Sequence, residues 1–279
     1  MPEGDSIYKL ARKLRPALLD QTLTTLTFRG RRSEPVPQAP VVTAIHSMGK
    51  HLLVTLDGRR VLRVHLGLKG AVRRLGDGES APSPRILSAQ LYTDQQRIVV
   101  VRARAVELFG KGLLASHPVL SQLGPDLLGD PIDWDEIAAR SECAALREPP
   151  ETISDHLLDQ RIAAGLGNVY RNELLFDFRI HPDTLARDVP VDQRLALFRE
   201  GARQLAFNLD PGPRVTTRDE AGRAQPGLPR HRVYRRSGEP CLRCHRPIRS
   251  GASHRDARPS FFCPRCQPPP DRPGRDNFR

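Results

Sequence analysis

Gln160-Arg161-Ile162-Ala163-Ala164-Gly165-Leu166-Gly167-Asn168-Val169-Tyr170 is the stretch on which the fold turns. Two glycines flank Leu166 just before a helical apolar pattern resumes at Val169. Glycines there permit a tight turn and let a phosphate approach the backbone. Asn168, at the helix start, can add an amide donor to the free backbone N–H groups of the first turn. Taken alone, the stretch reads as an ordinary connection between two helices with an asparagine cap.

The surroundings extend that reading. Residues 119–128, 133–145, 152–160, 169–176 and 191–208 carry helical spacing between Pro, Gly and Asn. Nearer the start, Ile7, Leu10, Ala11, Leu14 and Leu18 predict a helix over 5–19, with Asp5 or Ser6 as its cap. Short β-rich segments follow at 22–28, 41–47, 51–56, 61–66, 70–75, 86–92, 97–102 and 105–108. They are punctuated by turns such as Asp57-Gly58 and Gly76-Asp77-Gly78. Strands this short and this closely spaced predict a β-sandwich or barrel, with the first helix packed on it. Residues 210–230, rich in Pro, Gly, Arg and Thr, read as a mobile loop or linker. The chain is therefore an α+β multidomain protein. It divides into a helix-flanked β-sandwich over 1–115, a helical domain with its loop over 116–230, a ribbon over 231–267 and a disordered tail over 268–279.

The two ends carry chemistry. Cys241, Cys244, Cys263 and Cys266 form Cys-x2-Cys, an eighteen-residue spacer and Cys-x2-Cys, the spacing of an all-thiolate tetrahedral zinc site. Four thiolates leave no coordination position for water, so one structural Zn2+ is expected, holding a ribbon too small to be rigid alone. The other end reads Met1-Pro2-Glu3-Gly4. Removal of Met1 would expose the secondary amine of Pro2 beside a carboxylate, a nucleophile with an acid next to it. An α-amino group titrates near pH 8, so an appreciable fraction is neutral at physiological pH.

Composition narrows the partners. No apolar run reaches the length of a membrane span, and the start lacks a signal peptide. Five cysteines, four in metal spacing, point to a reducing compartment with Cys143 as a passive, partly buried thiol. The net charge is +12, and eight of it lies in the last 49 residues, where twelve arginines face four acidic residues. An Arg-rich segment around a zinc ribbon is the electrostatic footprint of a nucleic-acid binder. A basic tail on an otherwise unrelated protein, or a small partner-binding ribbon, has the same charge.

An N-terminal Pro-Glu, a glycine–asparagine helical turn and a four-cysteine ribbon, in that order, resemble the formamidopyrimidine-DNA glycosylase / endonuclease VIII family of bifunctional DNA-repair glycosylases. The resemblance spans nearly the whole chain. It includes Ser47-Met48-Gly49-Lys50-His51-Leu52-Leu53, His65-Leu66-Gly67-Leu68, and Val233-Tyr234 through Phe262-Cys263-Pro264-Arg265-Cys266-Gln267. It implies a helix-two-turn-helix domain bearing a C-terminal zinc finger. It also implies Pro2 as Schiff-base nucleophile and Glu3 as proton donor in base loss and sugar-ring opening. Lys50 matches the lysine that assists base release and β-elimination. Arg258, five residues before Cys263, matches the zinc-finger arginine that clamps phosphates and assists δ-elimination. Asn168 would contact phosphate, and Leu68, with Lys69 beside it, occupies the wedge region that fills the gap left by a flipped base. The bland alternatives are an exposed hairpin lysine for Lys50, one arginine among many for Arg258 and a buried strand residue for Leu68.

The partner implied is damaged double-stranded DNA, with single-stranded or forked DNA as further candidates, bound by a monomeric cytoplasmic, nucleoid-associated enzyme. Two departures bear on the lesion. The purine-directed branch takes a second wedge from an Arg–Phe loop, and Asp94-Gln95-Gln96-Arg97 lacks that pair; Gly4 likewise matches the endonuclease VIII branch. Both favour oxidised pyrimidines over 8-oxoguanine or formamidopyrimidines. Ser6, after Asp5, stands where the family has a second glutamate. A non-catalytic zinc-ribbon protein that senses DNA damage is the rival from another functional class.

Overall fold

The computed structural model describes residues 2–33, 35–219, 221–252 and 258–270. Met1 and most of the tail expected over 268–279 lie outside them. The chain forms two compact units, Met1–Gln122 and Leu123–Arg279.

The first unit opens with α1 (Gly4–Leu18), whose Ile7, Ala11, Leu14 and Leu18 are buried at helical spacing while Arg12 and Lys13 face solvent. Each buried Ile or Leu contributes about 1.5–3 kcal/mol. Arg15 Nε donates to the Ile45 carbonyl at 2.8 Å and pins the helix to the sheet. Among the described residues nine strands follow: β1 (Thr25–Phe28), β2 (Arg31–Arg32), β3 (Val42–Met48), β4 (His51–Leu56), β5 (Arg60–His65), β6 (Ala71–Leu75), β7 (Leu87–Tyr92), β8 (Arg97–Val101) and β9 (Ala105–Gly110). They build a four-stranded sheet, β1-β7-β8-β6, and a five-stranded sheet, β2-β9-β5-β4-β3. All neighbours are antiparallel except β2, which runs parallel to β9. Alternate residues of both sheets, among them Leu52, Val54, Leu62 and Val106 from one and Leu91, Ile98 and Val100 from the other, share one core with α1. All six residues of β4 are buried, so the second face of its sheet is covered too. Residues 111–122, in short 3-10 turns, follow β9 there, and the His117 ring lies 4.5 Å from that of Phe109.

The second unit holds α2 (Trp134–Ala145), α3 (Ile153–His156), α4 (Asn168–Asp177), α5 (Val191–Ala206) and a hairpin of β10 (Arg249–Ala252) and β11 (Pro259–Phe262). Asp133 and Thr152 cap α2 and α3 by accepting the Glu136 and Asp155 amides. Leu157, Ile162, Leu166, Tyr170, Leu174, Leu197, Phe198 and Leu205 form the core around the Gln160–Tyr170 turn. A buried polar brace joins α2, α3 and α5. His156 Nδ1 lies 2.7 Å from Glu151 Oε1, its Nε2 lies 2.9 Å from Ser141 Oγ, and Arg194 Nε donates to that hydroxyl at 3.0 Å. The arrangement has the connectivity of a hydrolase relay, but Ser141 and His156 are 1% and 0% exposed. It is a cross-brace, closed to substrate.

Three expectations need correction. Residues 119–128 hold only a 3-10 turn at Leu120–Gln122, because Gly124-Pro125 interrupts any helix. The helix expected over 152–160 stops at His156, after which the chain turns on side-chain bonds from Asp159 and Gln160. Cys143, expected to be partly buried, is exposed on α2.

Candidate active site and metal centre

In the first unit, Pro2 is half-buried ahead of α1. The Glu3 carbonyl caps the helix, accepting Ser6 N at 3.0 Å and Ile7 N at 3.1 Å, while its side chain makes no cap bond. Glu3 and Asp5 both have 0% exposure, and the Ser6 hydroxyl donates to Asp5 Oδ1 at 3.3 Å. Two carboxylates thus sit at the positive end of a helix dipole, directly after a proline. Asp5 therefore supplies a second buried acid near the position where Ser6 breaks the family pattern.

Lys50 is half-buried in the two-residue turn between β3 and β4, where Met48 pairs with His51. Next to it, His51 is held neutral: burial, then Arg63, His65 and His117, push its pKa down to about 2. Its ring stacks 4.7 Å from that of His65. Leu68 is 59% exposed on the turn between β5 and β6, with Lys69 exposed beside it. Arg104 was not singled out by the sequence. A β-carbon on Gly67 would sit 2.9 Å from the Arg104 Cβ, and Arg104 N donates to the His65 carbonyl at 2.8 Å, so this arginine backs the Leu68 turn. The available signal was the pair Arg102 and Arg104 in the β8–β9 connection. The Asp94-Gln95-Gln96 stretch is a tight turn, with Thr93 Oγ1 accepting the Gln95 and Gln96 amides at 3.2 and 2.9 Å.

In the second unit, Gly165 takes φ +124° in the turn before α4. Gln160 secures that turn, accepting Gly165 N at 3.1 Å and donating to the Leu166 carbonyl at 3.0 Å. Asn168 opens α4, 3% exposed, and its Nδ2 donates to the Pro259 carbonyl at 3.1 Å. An amide carries two N–H donors, so this bond uses one of them. Arg171 donates to the same carbonyl at 3.3 Å, and Asn172 Oδ1 accepts Phe261 N at 2.6 Å. One polar edge of α4 therefore fixes the hairpin strand that begins beside Arg258. Arg258 itself is half-buried.

Glu173, fully buried on α4, is a second residue the sequence left unmarked. Its Oε2 accepts Thr216 Oγ1 at 2.5 Å and Arg232 N at 2.7 Å, and its Oε1 accepts Val233 N at 2.9 Å and Tyr234 N at 2.8 Å. This carboxylate ties both Thr216, in the first half of the 210–230 segment, and the start of the ribbon to the helix. That segment is accordingly anchored: Asn208 Oδ1 accepts Val215 N at 2.9 Å, and Thr217 Oγ1 donates to the Pro229 carbonyl at 2.5 Å.

The four thiols of Cys241, Cys244, Cys263 and Cys266 lie within 4.8 Å of one another. Cys241 and Cys266 sulfurs are 3.9 Å apart, those of Cys244 and Cys263 3.4 Å. Tetrahedral thiolate bonds of about 2.3 Å separate sulfurs by about 3.8 Å, so the cluster can hold one metal ion. Arg243 N donates to Cys241 Sγ at 3.4 Å, stabilising negative sulfur. Burial pushes the Cys266 thiol far up, whereas the Arg246 amide leads in drawing Cys244 down to about 7. Behind the cysteines, Gln267 bridges the Cys263 amide and the Ile180 carbonyl, and Phe176, Val233, Tyr234 and Ile248 form a shared core.

Comparison with known proteins follows these parts. Residues 1–107 match the profile of the formamidopyrimidine-DNA glycosylase N-terminal domain, and residues 123–212 that of the formamidopyrimidine-DNA glycosylase H2TH domain. The chain belongs to the formamidopyrimidine-DNA glycosylase / endonuclease VIII family. Among members of that family, it is 33% identical to a probable endonuclease 8 2 of Streptomyces coelicolor, covering 98% of this chain and 97% of that one. It is 34% identical to the DNA-(apurinic or apyrimidinic site) lyase Nei2 of Mycolicibacterium smegmatis, covering 96% and 99%. The crystal structure of the MutM (Fpg) protein of Thermus thermophilus superposes with a TM-score of 0.77 at 29% identity, covering 95% of this chain and 98% of that one. The family's α+β fold, with its H2TH domain and four-cysteine cluster, is thus the fold of this chain. Among the described residues, no helix is long and apolar enough to cross a membrane.

Proposed function

We propose that this protein is a bifunctional DNA glycosylase and abasic-site lyase of base-excision repair that removes oxidised pyrimidines from damaged duplex DNA. The observation that carries the reading is Pro2 at the head of α1 beside two carboxylates with 0% exposure, Glu3 and Asp5, in a chain of this family. The neutral Pro2 amine attacks the sugar C1′ and gives up its N–H proton, the bond from C1′ to the base breaks, and the base leaves with a proton supplied by the protein. Glu3 protonates the ring oxygen as the sugar opens, leaving an iminium between Pro2 and C1′. The iminium makes the C2′ proton acidic. Its removal, assisted by Lys50, expels the 3′-phosphate in β-elimination, and a further elimination expels the 5′-phosphate with Arg258 holding the charge. Water then releases Pro2. Asn168 would grip phosphate with its remaining N–H, and Leu68 with Lys69 would occupy the gap left by the flipped nucleotide.

Cys241, Cys244, Cys263 and Cys266 would hold one Zn2+, whose contribution is structural because a closed thiolate shell has no site for water. Gly4 and the wedge-free 94–97 turn favour oxidised pyrimidines. Arg104 is the one observation that favours the purine-directed alternative: its aliphatic stem packs against Gly67 in the Leu68 turn, which would let its guanidinium reach the orphaned base. The deciding experiment is single-turnover excision from matched duplexes that differ only in the lesion. Faster release of thymine glycol and 5-hydroxyuracil is expected, with weak preference for the opposite base. Faster release of 8-oxoguanine, strongly favoured opposite cytosine, would move the protein to the purine-directed branch.

A further inference from the structure

Within the first unit, β2, β9 and the segment at 113–119 enclose a concave site of about 360 Å3 that the repair chemistry does not use. That volume lies in the range of small-molecule pockets. Its walls are apolar: Phe109 from β9, and Leu113 and Val119, which are 48% and 40% exposed. The charges of the polar floor are already paired. Glu107 Oε2 accepts Arg63 NH1 at 2.7 Å and pairs with His117 Nε2 at 3.0 Å. His117 Nδ1 accepts the amides of Val119 and Leu120 at 3.2 and 3.3 Å, so its ring proton sits on Nε2 and is directed at Glu107. The floor therefore offers a ligand no unbalanced charge.

The rim does. Arg31 and Arg32 are adjacent, exposed on a two-residue edge strand, and border the same site. Among the described residues neither guanidinium has a hydrogen-bond or ion-pair partner. Two neighbouring cations repel each other, and an oxyanion at this rim offsets that repulsion while taking up guanidinium donors that have no partner.

We propose that this site binds a small amphipathic anion, with a hydrocarbon or aromatic body on Phe109, Leu113 and Val119 and a carboxylate-type head at the rim that Arg31 and Arg32 border. A neutral apolar ligand leaves both cations unmatched. A nucleic-acid backbone would match the cations but leave the Leu and Val walls in water. The site needs neither Pro2 nor the ribbon, so it stands independently of the proposed repair reaction.

The test is calorimetric titration of the metal-loaded full chain with octanoate, and with 1-octanol as the uncharged comparison. Octanoate is expected to saturate one site with a negative heat-capacity change. The Arg31→Gln/Arg32→Gln double variant should weaken octanoate about tenfold, the scale of losing charge-assisted hydrogen bonds, and leave 1-octanol unchanged. Leu113→Asp should weaken both ligands. The double variant should still cleave an abasic duplex at the wild-type rate, which also shows that it is folded. Absence of saturable octanoate binding would overturn the proposal, as would indifference to either set of substitutions. Displacement of octanoate by duplex DNA, or loss of abasic-site cleavage in the double variant, would assign the arginines to a DNA surface instead and equally overturn it.

Discussion

Replacing Glu173 by Gln tests what fastens the ribbon to the helical unit. The carboxylate has no exposed surface and accepts four hydrogen bonds from Thr216, Arg232, Val233 and Tyr234. A Gln oxygen can still serve Val233 N and Tyr234 N, which share Oε1. The new NH2 group then faces Thr216 and Arg232. Thr216 can rotate its hydroxyl to accept, but Arg232 N can only donate, so one buried amide is left opposed. An orphaned buried donor costs about 1–3 kcal/mol, and the surviving bonds lose the assistance of a charge, about 1 kcal/mol more. Gln is also easier to bury than a carboxylate, which offsets part of the loss. A net destabilisation of about 1–3 kcal/mol remains. Trp134 is the only tryptophan in the chain and lies on α2 of the same unit, so its fluorescence during denaturant unfolding reads this unit. Glu173→Gln should lower the midpoint of that transition and raise the rate of metal loss to a chelator. A shift under about 0.5 kcal/mol, the scale of an ordinary surface substitution, would refute the argument that this carboxylate is the fastening.

Two further predictions concern the same unit. Cys263→Ser should reduce metal content and DNA binding by unfolding the ribbon, while circular dichroism and a separate unfolding step show the first unit intact; a metal-free preparation with full activity would contradict this. His181, stacked edge-on against Phe262 with ring centroids 4.6 Å apart, has its pKa pushed down by burial from 6.5 to about 4. The unfolded chain takes up this proton below pH 6.5 and the folded chain does not, so the stability concerned is present above pH 6.5 and is lost as pH falls toward about 4. His181→Asn should therefore flatten the acid limb of the Trp134 unfolding curve relative to wild type; an unchanged limb would show that other groups set it.

Much of the fold was legible because its signals are local. The stripe Ile7, Ala11, Leu14, Leu18 and the alternation in β4 and β5 are short-range patterns, and they place α1 and the strands to within a few residues. The cysteine spacing likewise predicts a cluster that the folded chain forms. What failed was also local in cause. Apolar spacing over 119–128 competes with Gly124-Pro125 and with the bonds that His117 Nδ1 accepts from Val119 and Leu120. What was missed depends on distance along the chain. Glu173 reads as an ordinary helical acid until its donors arrive from 43 to 61 residues later. Arg104 gains meaning only when the β8–β9 connection folds against Gly67.

The central claim is that the Pro2 nitrogen forms the bond to DNA. It is tested by borohydride reduction during reaction with a duplex carrying one abasic site, followed by peptide mapping of the trapped adduct by mass spectrometry. Only an iminium is reduced to a stable crosslink, so the attached residue is the nucleophile. The account predicts the adduct on an N-terminal Pro2, and none from a chain that retains Met1. An adduct on Lys50, or undiminished trapping when the Pro2 nitrogen is blocked, would contradict it.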